Sequence, residues 1–460
     1  MADVLLTHSN HLFHDRKQVE KMQPYPPLQT LLAAAVLREA GVETAFCDVT
    51  FRPPLTALRR ALAEHRPKLV VVCEDDFNFL SKMCLGRNRQ AAFEIARLAR
   101  EHGISAAAHG ADASDHAARY LDAGFDAVLI GEVESTLLEL ARGNARETIA
   151  GLAFRDGGGR ARYNAPRALR GDLDSLPLPA RDLADIESYR TAWRQAHGYF
   201  SLNVVSSRGC PYRCNWCAKP IWGDAYHVRA ARRVAEELLS VKLRHTPDHI
   251  WFADDIFALS ARWTAEFAEA VEALDARIPF KMQSRCDLMT RDTVRYLRRS
   301  GCVEVWMGAE SGSQKILDAM DKGLRVEAIA RARENLRQHG IRACFFLQFG
   351  YPGETWDDIA ATIRMVRQLR PDDVGVSVSY PLPGTRFHQI VSRDLMTKAN
   401  WTDSADLAMM FRGTYSSDFY RALADALHLE VRNPEAKGAI ADAWERVREL
   451  EGSGRRAMVA

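Results

Sequence analysis

The sequence lacks an excess of charge of either sign, since its 460 residues include 62 Lys and Arg against 60 Asp and Glu. Such an even mixture gives no electrostatic footprint for a nucleic acid or an anionic membrane, so neither is expected as a partner. The sequence also lacks any run of about 18 apolar residues, which predicts no membrane span. Internal repeats and low-complexity blocks are missing too, which leaves a globular protein of two or three domains.

The amino terminus lacks the features of a secretory signal. The stretch "MADVLLTHSN" has an Asp where a signal peptide carries Lys or Arg, and its apolar run is short. The cytoplasm is therefore the expected location. In that reducing compartment the nine cysteines are not expected to form a disulfide framework, and clustered ones favour metal binding or catalysis.

Short apolar runs alternate with helical patterns from the start to about residue 145. Between the runs lie helices such as the one at 28–41, which ends at Gly41. This alternation predicts a Rossmann-like, doubly wound parallel sheet over residues 1–145, which would bind ligands at the carboxyl ends of its strands. The predicted strands lie at 4–8, 42–49, 68–75, 104–110 and 126–132.

A second region of alternation follows a hairpin and a proline-containing linker, predicted over residues 146–190. Its spacing favours a partial (β/α)6 barrel of the TIM type over residues 191–385, although a second Rossmann sheet stays open. Residues 386–460 are predicted to form a helical carboxyl-terminal region. The predicted strands lie at 202–207, 249–254, 279–284, 302–308, 342–350 and 374–380.

Three cysteines, Cys210, Cys214 and Cys217, lie in the loop "SRGCPYRCNWCAK" that follows the first strand of this second region. Three thiolates on a [4Fe-4S] cluster would leave one iron open to another ligand, which explains the odd number. A zinc site completed by a histidine or a distant cysteine is the alternative. The six other cysteines read mostly as small buried apolar residues.

This Cys-x3-Cys-x-aromatic-Cys pattern, with Trp216 in the aromatic position, resembles the signature of radical S-adenosylmethionine (SAM) enzymes. The preceding sheet and the run at 306–355 are similar to the subgroup with a cobalamin (B12)-binding domain, which includes the anaerobic magnesium-protoporphyrin monomethyl ester cyclase and many methyltransferases. The resemblance covers roughly residues 1–420. It implies a [4Fe-4S] cluster held by the three cysteines, SAM on the open iron, cobalamin, a small-molecule substrate and an external electron donor such as flavodoxin or ferredoxin.

The resemblance also implies SAM contacts at the ends of successive strands. In the family's arrangement, acids after the second strand bind the SAM ammonium or line the substrate cavity, and an arginine after the third binds the carboxylate. The "GAESG" turn binds the ribose, and the "LQFGYPGET" stretch packs on the adenine. The alternatives are a helix N-terminal acid, a structural salt bridge, a solvated glutamate and a plain turn. The matching residues are Asp254, Asp255, Arg285, Glu310, Ser311, Gln348 and Gly350.

Cobalamin contacts are implied in the first domain by the loops "HGADAS" and "GEVEST", at Gly110, Gly131, Glu132 and Thr136. The Asp-x-His-x-x-Gly motif of many cobalamin sheets is missing from the sequence. We therefore expect cobalamin to bind without a protein histidine on cobalt. The alternative is a domain that has kept its sheet and lost its ligand.

The function expected from this resemblance is methyl transfer to an unactivated carbon of a small molecule or natural product. Non-methylating radical chemistry, such as oxidative cyclisation, is the alternative within enzymes. A cobalamin-binding sensor or carrier with a structural metal site is the alternative outside them. The sequence does not identify a catalytic side chain or the substrate.

Overall fold

The computed structural model describes residues 1–78, 80–217 and 221–459, with side chains described up to residue 452. Two sheets carry the fold, each flanked by helices, and the carboxyl ends of their strands face a common region. Within the described residues, no helix is both long and apolar enough to cross a membrane.

The first sheet has seven strands in the order β2-β1-β3-β4-β5-β6-β7. Its first five strands are parallel and β6 and β7 are antiparallel. The order 2-1-3-4-5 is that of a doubly wound sheet with a switch point between β1 and β3, as predicted. Its strands are β1 Val4–Thr7, β2 Thr44–Cys47, β3 Leu69–Cys73, β4 Ser105–His109, β5 Ala127–Leu129, β6 Leu152–Arg155 and β7 Ala161–Tyr163.

Eight helices accompany this sheet within the described residues. α2 has a buried face of leucine and alanine and ends before Gly41, whose φ of 78° lets the chain turn back. The hairpin β6–β7 extends the first sheet. The helices are α1 Arg16–Lys21, α2 Leu28–Glu39, α3 Pro54–His65, α4 Leu80–Met83, α5 Leu85–Glu101, α6 Ala111–Asp115, α7 Ala117–Asp122 and α8 Val133–Ala141.

The second region begins with α9 Ile186–His197 and continues as alternating strands and helices. Short antiparallel strands β9 and β10 form a ribbon, whereas the other strands lie in one sheet. The strands are β8 Ser201–Val204, β9 Ser207–Gly209, β10 Tyr226–Val228, β11 His249–Phe252, β12 Phe280–Ser284, β13 Cys302–Glu310, β14 Arg342–Phe349 and β15 Asp373–Val378. The helices between them are α10 Ala231–His245, α11 Ala261–Ala273, α12 Arg291–Ser300, α13 Gln314–Ala319, α14 Val326–Gln338 and α15 Trp356–Leu369.

The second sheet has the order β15-β14-β13-β12-β11-β8, and all its neighbours are parallel. Each strand lies beside its predecessor in the chain, without the reversal that defines a doubly wound sheet. This sequential order fits a partial barrel of six strands. The side chains that point towards the helices, such as Phe252, Phe280 and Phe345, are fully buried in the largest apolar core.

The carboxyl-terminal region is helical, as predicted, with α16 Arg386–Ile390, α17 Ser417–Arg432 and α18 Lys437–Val459. Arg432, at the end of α17, pairs with Asp373 at the start of the edge strand β15. The helix therefore covers that edge of the second sheet.

A segment of the first region, residues 8–27, reaches the opposite edge of the second sheet; we call it the crossing segment. The Trp193 indole donates to the carbonyl of Pro24 at 2.7 Å, and the Asn203 amide donates to that of Pro26 at 2.9 Å. The hydroxyl groups of Tyr25 and Ser201 lie 3.1 Å apart. These contacts join the crossing segment to α9 and β8.

Candidate active site between the two sheets

The cysteine loop starts from the β9–β10 ribbon beside the carboxyl end of β8. Gly209 ends β9 with a φ of 76°, and an added Cβ would lie 2.2 Å from the carbonyl oxygen of Ala225. Only glycine tolerates this close approach of the two ends of the loop. The ribbon therefore fixes the base from which Cys210 begins the loop.

Asp254, after β11, anchors the same base. Its carboxylate accepts a hydrogen bond from the Ser206 hydroxyl at 2.6 Å and from the Ser206 backbone N–H at 3.1 Å, and a further one from the Ser207 hydroxyl. Burial raises the pKa of Asp254 to about 6. This carboxylate shapes the start of the cysteine loop, and its predicted role in binding the SAM ammonium or lining the substrate cavity stays a prediction. The neighbouring Asp255 is exposed and lies 3.6 Å from Lys82.

Positive side chains surround the half-buried cysteines. The Arg285 guanidinium lies 3.9 Å from the Cys214 sulfur and stacks over the Tyr212 ring at 3.8 Å. Lys322 and Lys82 are close enough to Cys214 and Cys217, respectively, for their charges to interact. This positive charge would stabilise an anionic group bound in the loop, and thiolates are the form in which cysteine binds metal.

Glu310 and Lys322 form a buried ion pair next to Arg285. The Lys322 ammonium donates to the Glu310 carboxylate at 2.8 Å, and the Arg285 guanidinium donates to the Lys322 carbonyl at 2.9 Å. Glu310 has a φ of 59°, and an added Cβ on Gly308 would lie 2.5 Å from the Glu310 carboxylate. The β13 bulge between these residues therefore directs Glu310 toward the cysteine loop.

The residues fit a cluster by their chemistry. In the described part of the chain, no group of three or more His, Cys, Asp or Glu side chains is gathered as a metal cage. However, the indole N–H groups of Trp216 and Trp222, both beside the cysteines, are buried and find no acceptor among the described residues. Unpaired buried donors and a positively charged surround suit an anionic group with sulfur or oxygen acceptors. The assignment of Cys210, Cys214 and Cys217 as cluster ligands stays a prediction with this support.

Three further predicted SAM contacts are held by the protein itself. Ser311 is fully buried, with its hydroxyl 3.2 Å from that of Thr362. The amide of Gln348 donates to the Ser379 hydroxyl at 3.1 Å. Gly350 has a φ of 75°, and an added Cβ would lie 3.0 Å from the Met409 sulfur. Contacts within the protein at the strand ends thus account for these three residue types. The roles of Ser311, Gln348 and Gly350 in binding SAM stay predictions.

Glu354, which lies in the loop after β14, has a buried carboxyl group. It accepts a hydrogen bond from the Gly350 N–H at 2.6 Å, while its other oxygen finds no donor within the described residues. Burial raises the pKa of Glu354 to about 8. The folded protein therefore retains a proton that the unfolded chain releases near pH 4.5.

We expect the substitution Glu354→Gln to stabilise the protein at alkaline pH. Because the folded-state pKa lies above the unfolded value, stability falls as the pH rises from about 4.5 to about 8, by roughly 1.4 kcal/mol per unit. Thermal melting at pH 5 and pH 8.5 measures this. The variant should melt several degrees higher than the parent at pH 8.5 and equally at pH 5, whereas the exposed control Glu327→Gln should change neither. An equal rise in melting temperature at both pH values would contradict a raised pKa of Glu354 as the cause.

The carboxyl edge of the first sheet meets the ribbon through Arg208. Its guanidinium donates to Glu132 at 2.7 Å and also to Glu134, and all three side chains are buried. Burial alone would raise the pKa of Glu134, but the Arg208 charge lowers it to about 2. Glu132 also accepts from the Arg170 backbone N–H at 2.6 Å. The predicted cobalamin contact Glu132 is thus part of a buried ion-pair network between the two regions.

The remaining predicted cobalamin residues lie along this edge. Gly131 has a φ of 79° with open space where a side chain would be, and Gly110 packs against the side chain of Glu74. Thr136 donates to the Ala150 carbonyl at 3.1 Å and accepts from Arg167 at 2.8 Å, which makes it a support for the linker. The structure brings these four residues to one edge, and their contacts with a cofactor stay predictions.

Buried polar atoms without partners mark the same edge after β3. One oxygen of Glu74 and one of Asp76 are buried and find no hydrogen-bond donor among the described residues. Burial raises the pKa of Asp76 to about 8. His109 lies 3.0 Å from the Gly131 carbonyl and 3.3 Å from Asp76, and burial lowers its pKa to about 4. These acceptors suit a ligand that presents several N–H groups.

Sequence reasoning did not find four residues of the site: Lys82, Arg208, Trp222 and Lys322. Arg208 lies in the stretch "SRGCPYRCNWCAK", two residues before Cys210, and this proximity could have indicated a role at the site. Lys322 follows α13 in a turn, where nothing in the local pattern distinguishes it from a surface lysine. Its role comes from burial beside Glu310, which only the fold creates.

Comparisons with known proteins agree with this geometry. Residues 204–366 match the model of the radical SAM superfamily. The chain is 28% identical over 282 residues to an uncharacterised methyltransferase of Pyrococcus horikoshii, covering 60% of each chain. It is 28% identical over 393 residues to the hopanoid C-3 methylase of Methylococcus capsulatus, covering 81% of this chain and 70% of the relative. The chain thus spans about 60% of the first of these relatives and 70% of the second.

Among solved structures, the fold resembles that of TsrM from Kitasatospora setae, a radical SAM methyltransferase determined with cobalamin and a [4Fe-4S] cluster bound. The TM-score is 0.70 at 21% identity, with 85% of this chain and 75% of that chain covered. At this identity the likeness shows the shared fold of both regions. Radical SAM domains work with a [4Fe-4S] cluster and SAM, and residues 204–366, which include the cysteine loop and strands β11 to β14 of the second sheet, match the model of that superfamily.

Proposed function

We propose that this protein is a cobalamin-dependent radical SAM enzyme that methylates an unactivated carbon of a small molecule. The observation that carries the proposal is the apposition of the two carboxyl edges. Arg208, at the base of the cysteine loop, pairs with Glu132 and Glu134 of the first sheet, and Lys82 of the first region lies 3.6 Å from Asp255 of the second. A cofactor on the first edge is therefore held next to a cluster on the second.

The first edge offers what cobalamin requires. The corrin ring carries primary amides around its rim, and the unpaired oxygens of Glu74 and Asp76 are acceptors for amide N–H groups. An open cleft lined by Glu132, Ser135 and Arg170 lies beside Gly131. Because His109 is bonded to the Gly131 carbonyl and buried, it is not free to ligate cobalt, which favours binding without a protein histidine.

In this proposal the cluster and SAM supply a 5′-deoxyadenosyl radical, and cobalamin supplies the methyl group. The protein's own residues position the cluster site and enclose it. Arg285 and Lys322 place positive charge at the thiolates, Glu310 orients Lys322, and the β9–β10 ribbon closes the loop. An external one-electron donor such as flavodoxin or ferredoxin belongs to the same proposal.

Anaerobic reconstitution with iron, sulfide, cobalamin and SAM tests the function. Even without the substrate, we expect about one equivalent of S-adenosylhomocysteine per cobalamin, because SAM would methylate the reduced cofactor, together with slow formation of 5′-deoxyadenosine. Omitting cobalamin should remove only the S-adenosylhomocysteine. With the substrate, the product should gain one methylene.

Two outcomes would contradict the proposal in different ways. Formation of 5′-deoxyadenosine alone, with cobalamin present, would indicate non-methylating chemistry such as oxidative cyclisation. Absence of both products, with about one zinc per chain in place of about four irons, would indicate a binding protein with a structural metal.

A further inference from the structure

The second sheet has an inner face that borders solvent. Side chains alternate along its strands, and those that point away from the helices are half-buried or exposed while their neighbours are buried. Phe346 is 36% exposed although it lies in the middle of β14. The space in front of this face is therefore not filled by the protein core. The inner face includes Lys281, Glu304, Trp306, Phe346, Asp373 and Gly375.

An aromatic wall forms the middle of the inner face. Trp306 and Phe346 stack with their ring centroids 4.9 Å apart and an interplanar angle of 29°. They lie against Gly375, where an added Cβ would be 3.1 Å from Phe346 and 3.3 Å from Trp306. The indole N–H donates to Glu304 at 2.8 Å, which fixes the ring. The pair thus presents a rigid, planar apolar surface to solvent, which is costly unless a ligand covers it.

The charges at the amino end of this face do not balance. Its two acids are each matched by an arginine, Glu304 by Arg342 at 2.9 Å and Asp373 by Arg432 at 2.8 Å. Lys281, in contrast, has no carboxylate within 4.0 Å among the described residues. Its ammonium lies 3.4 Å from the Gln23 amide oxygen and over the rings of Tyr25 and Trp193.

Lys21 of the crossing segment adds to the positive charge beside Lys281, and within the described chain it too lies farther than 4.0 Å from any carboxylate. Lys21 is exposed, and Lys17, Arg432 and Lys281 lie close enough to it for their positive charges to interact. Burial lowers the pKa of Lys281. Positive side chains gathered beside Lys281, whose ammonium contacts an amide oxygen and two aromatic rings, point to an anion that the described residues do not supply.

The strand register gives the distance between these two features. Lys281 lies opposite Glu304, and Phe346 lies opposite Gly308, four residues further along β13. At about 3.3 Å per residue, the Lys281 level and the Phe346 level are roughly 13 Å apart along the strands. Glu310, next to the cysteine loop, follows directly beyond the Phe346 level.

Resting on the proposed function, we propose that the substrate is an elongated small molecule with a carboxylate or phosphate group bound at Lys281 and an aromatic or conjugated part against Trp306 and Phe346. Its reacting carbon then lies at the Glu310 end. The stacked rings select for a planar part, and the unmatched lysines select for an anion. Glu304 and Asp373 lie close enough to the lysines to attract them, but each of these acids is paired with an arginine.

Equilibrium binding to the full-length, cluster-loaded protein tests this class with three planar probes long enough to reach from Lys281 to Phe346: p-terphenyl-4-carboxylate, p-terphenyl-4-yl phosphate and the neutral p-terphenyl-4-carboxamide. We expect an anionic probe to bind about 10-fold or more tightly than the carboxamide, a ratio that corresponds to about 1.4 kcal/mol. The anion that binds more tightly identifies the substrate group as a carboxylate or a phosphate. Equal affinity for all three probes would overturn the proposal.

Variants separate the two features. Lys281→Met should remove the preference for anions and leave binding of the terphenyl carboxamide unchanged, whereas Phe346→Ala should weaken the binding of all three probes by a similar factor. Lys281→Arg should retain the preference, and Lys68→Met, which removes a surface pair with Asp3, should change nothing. An anion preference that survives in Lys281→Met would contradict the assignment. If that variant does not fold, the comparison of the probes on the parent and on Lys281→Arg decides.

These measurements need no turnover, so they are independent of the test of methyl transfer. Anion-selective binding without S-adenosylhomocysteine formation would leave the substrate class standing and remove the reaction. Formation of S-adenosylhomocysteine without anion-selective binding would support the reaction and rule out the proposed substrate class.

Discussion

Replacing Cys214 with alanine should abolish both the brown iron–sulfur chromophore and all cleavage of SAM. The loop supplies three thiolates, and a cluster that loses one of three protein ligands has no replacement among the described neighbours, which are the cations Arg285 and Lys322. Iron content should fall from about four per chain to well below one after anaerobic reconstitution. Visible absorbance measures the chromophore, iron analysis measures the iron content, and formation of 5′-deoxyadenosine measures the cleavage of SAM.

Cys47→Ala provides the matched control for this prediction. Cys47 ends β2, the edge strand of the first sheet, and is 6% exposed. We expect full iron content and SAM cleavage in this variant. Retention of the chromophore in Cys214→Ala, or its loss in Cys47→Ala, would disprove the assignment of the loop as the cluster site.

Replacing Arg208 with methionine should destabilise the protein by about 3–5 kcal/mol, because it leaves two buried carboxylates without their counter-charge. Glu132 and Glu134 are both under 8% exposed, and the pKa of Glu134 is held near 2 by this arginine. The two regions should then unfold separately. Urea unfolding followed by circular dichroism should show an earlier transition, in place of the single transition of the parent.

The triple variant with Arg208→Met, Glu132→Gln and Glu134→Gln should recover most of the lost stability. Removing all the charges of a buried network is often neutral, whereas removing one partner is not. Arg232→Met, which breaks an exposed pair with Glu236 on α10, is the control and should cost under about 1 kcal/mol. A loss in Arg208→Met as small as in the control would show that the network does not join the regions.

The strands of both sheets followed from the sequence because each is a short apolar run between turn residues. β3 "LVVVC" and β14 "RACFFLQF" are examples in which burial on the helix side requires apolar residues at regular positions. The sequential order of the second sheet could not be read in the same way. Strand order depends on how helices pack across the sheet, and spacing alone allowed two architectures.

The β9–β10 ribbon escaped sequence analysis for a physical reason. Its strands have three residues each and are separated by the whole cysteine loop, so no alternating pattern or tight turn marks them. Asp254 shows the opposite case, in which the residue type was noticed and its partner was not. The serines that it binds come from 48 and 47 positions earlier in the chain, and only the fold brings them together.

The crossing segment makes the order of synthesis matter. Its partners Trp193, Ser201 and Asn203 follow 169 to 177 positions later in the chain. At a typical elongation rate of about 5–20 residues per second, the segment waits roughly 10–35 s on the ribosome before they appear. The first sheet can form during that interval, and the second then folds onto a chain that is already in place. A circular permutant that moves residues 1–27 to the carboxyl end would reverse this order and leave the edge of β8 open to chaperones or aggregation until translation ends.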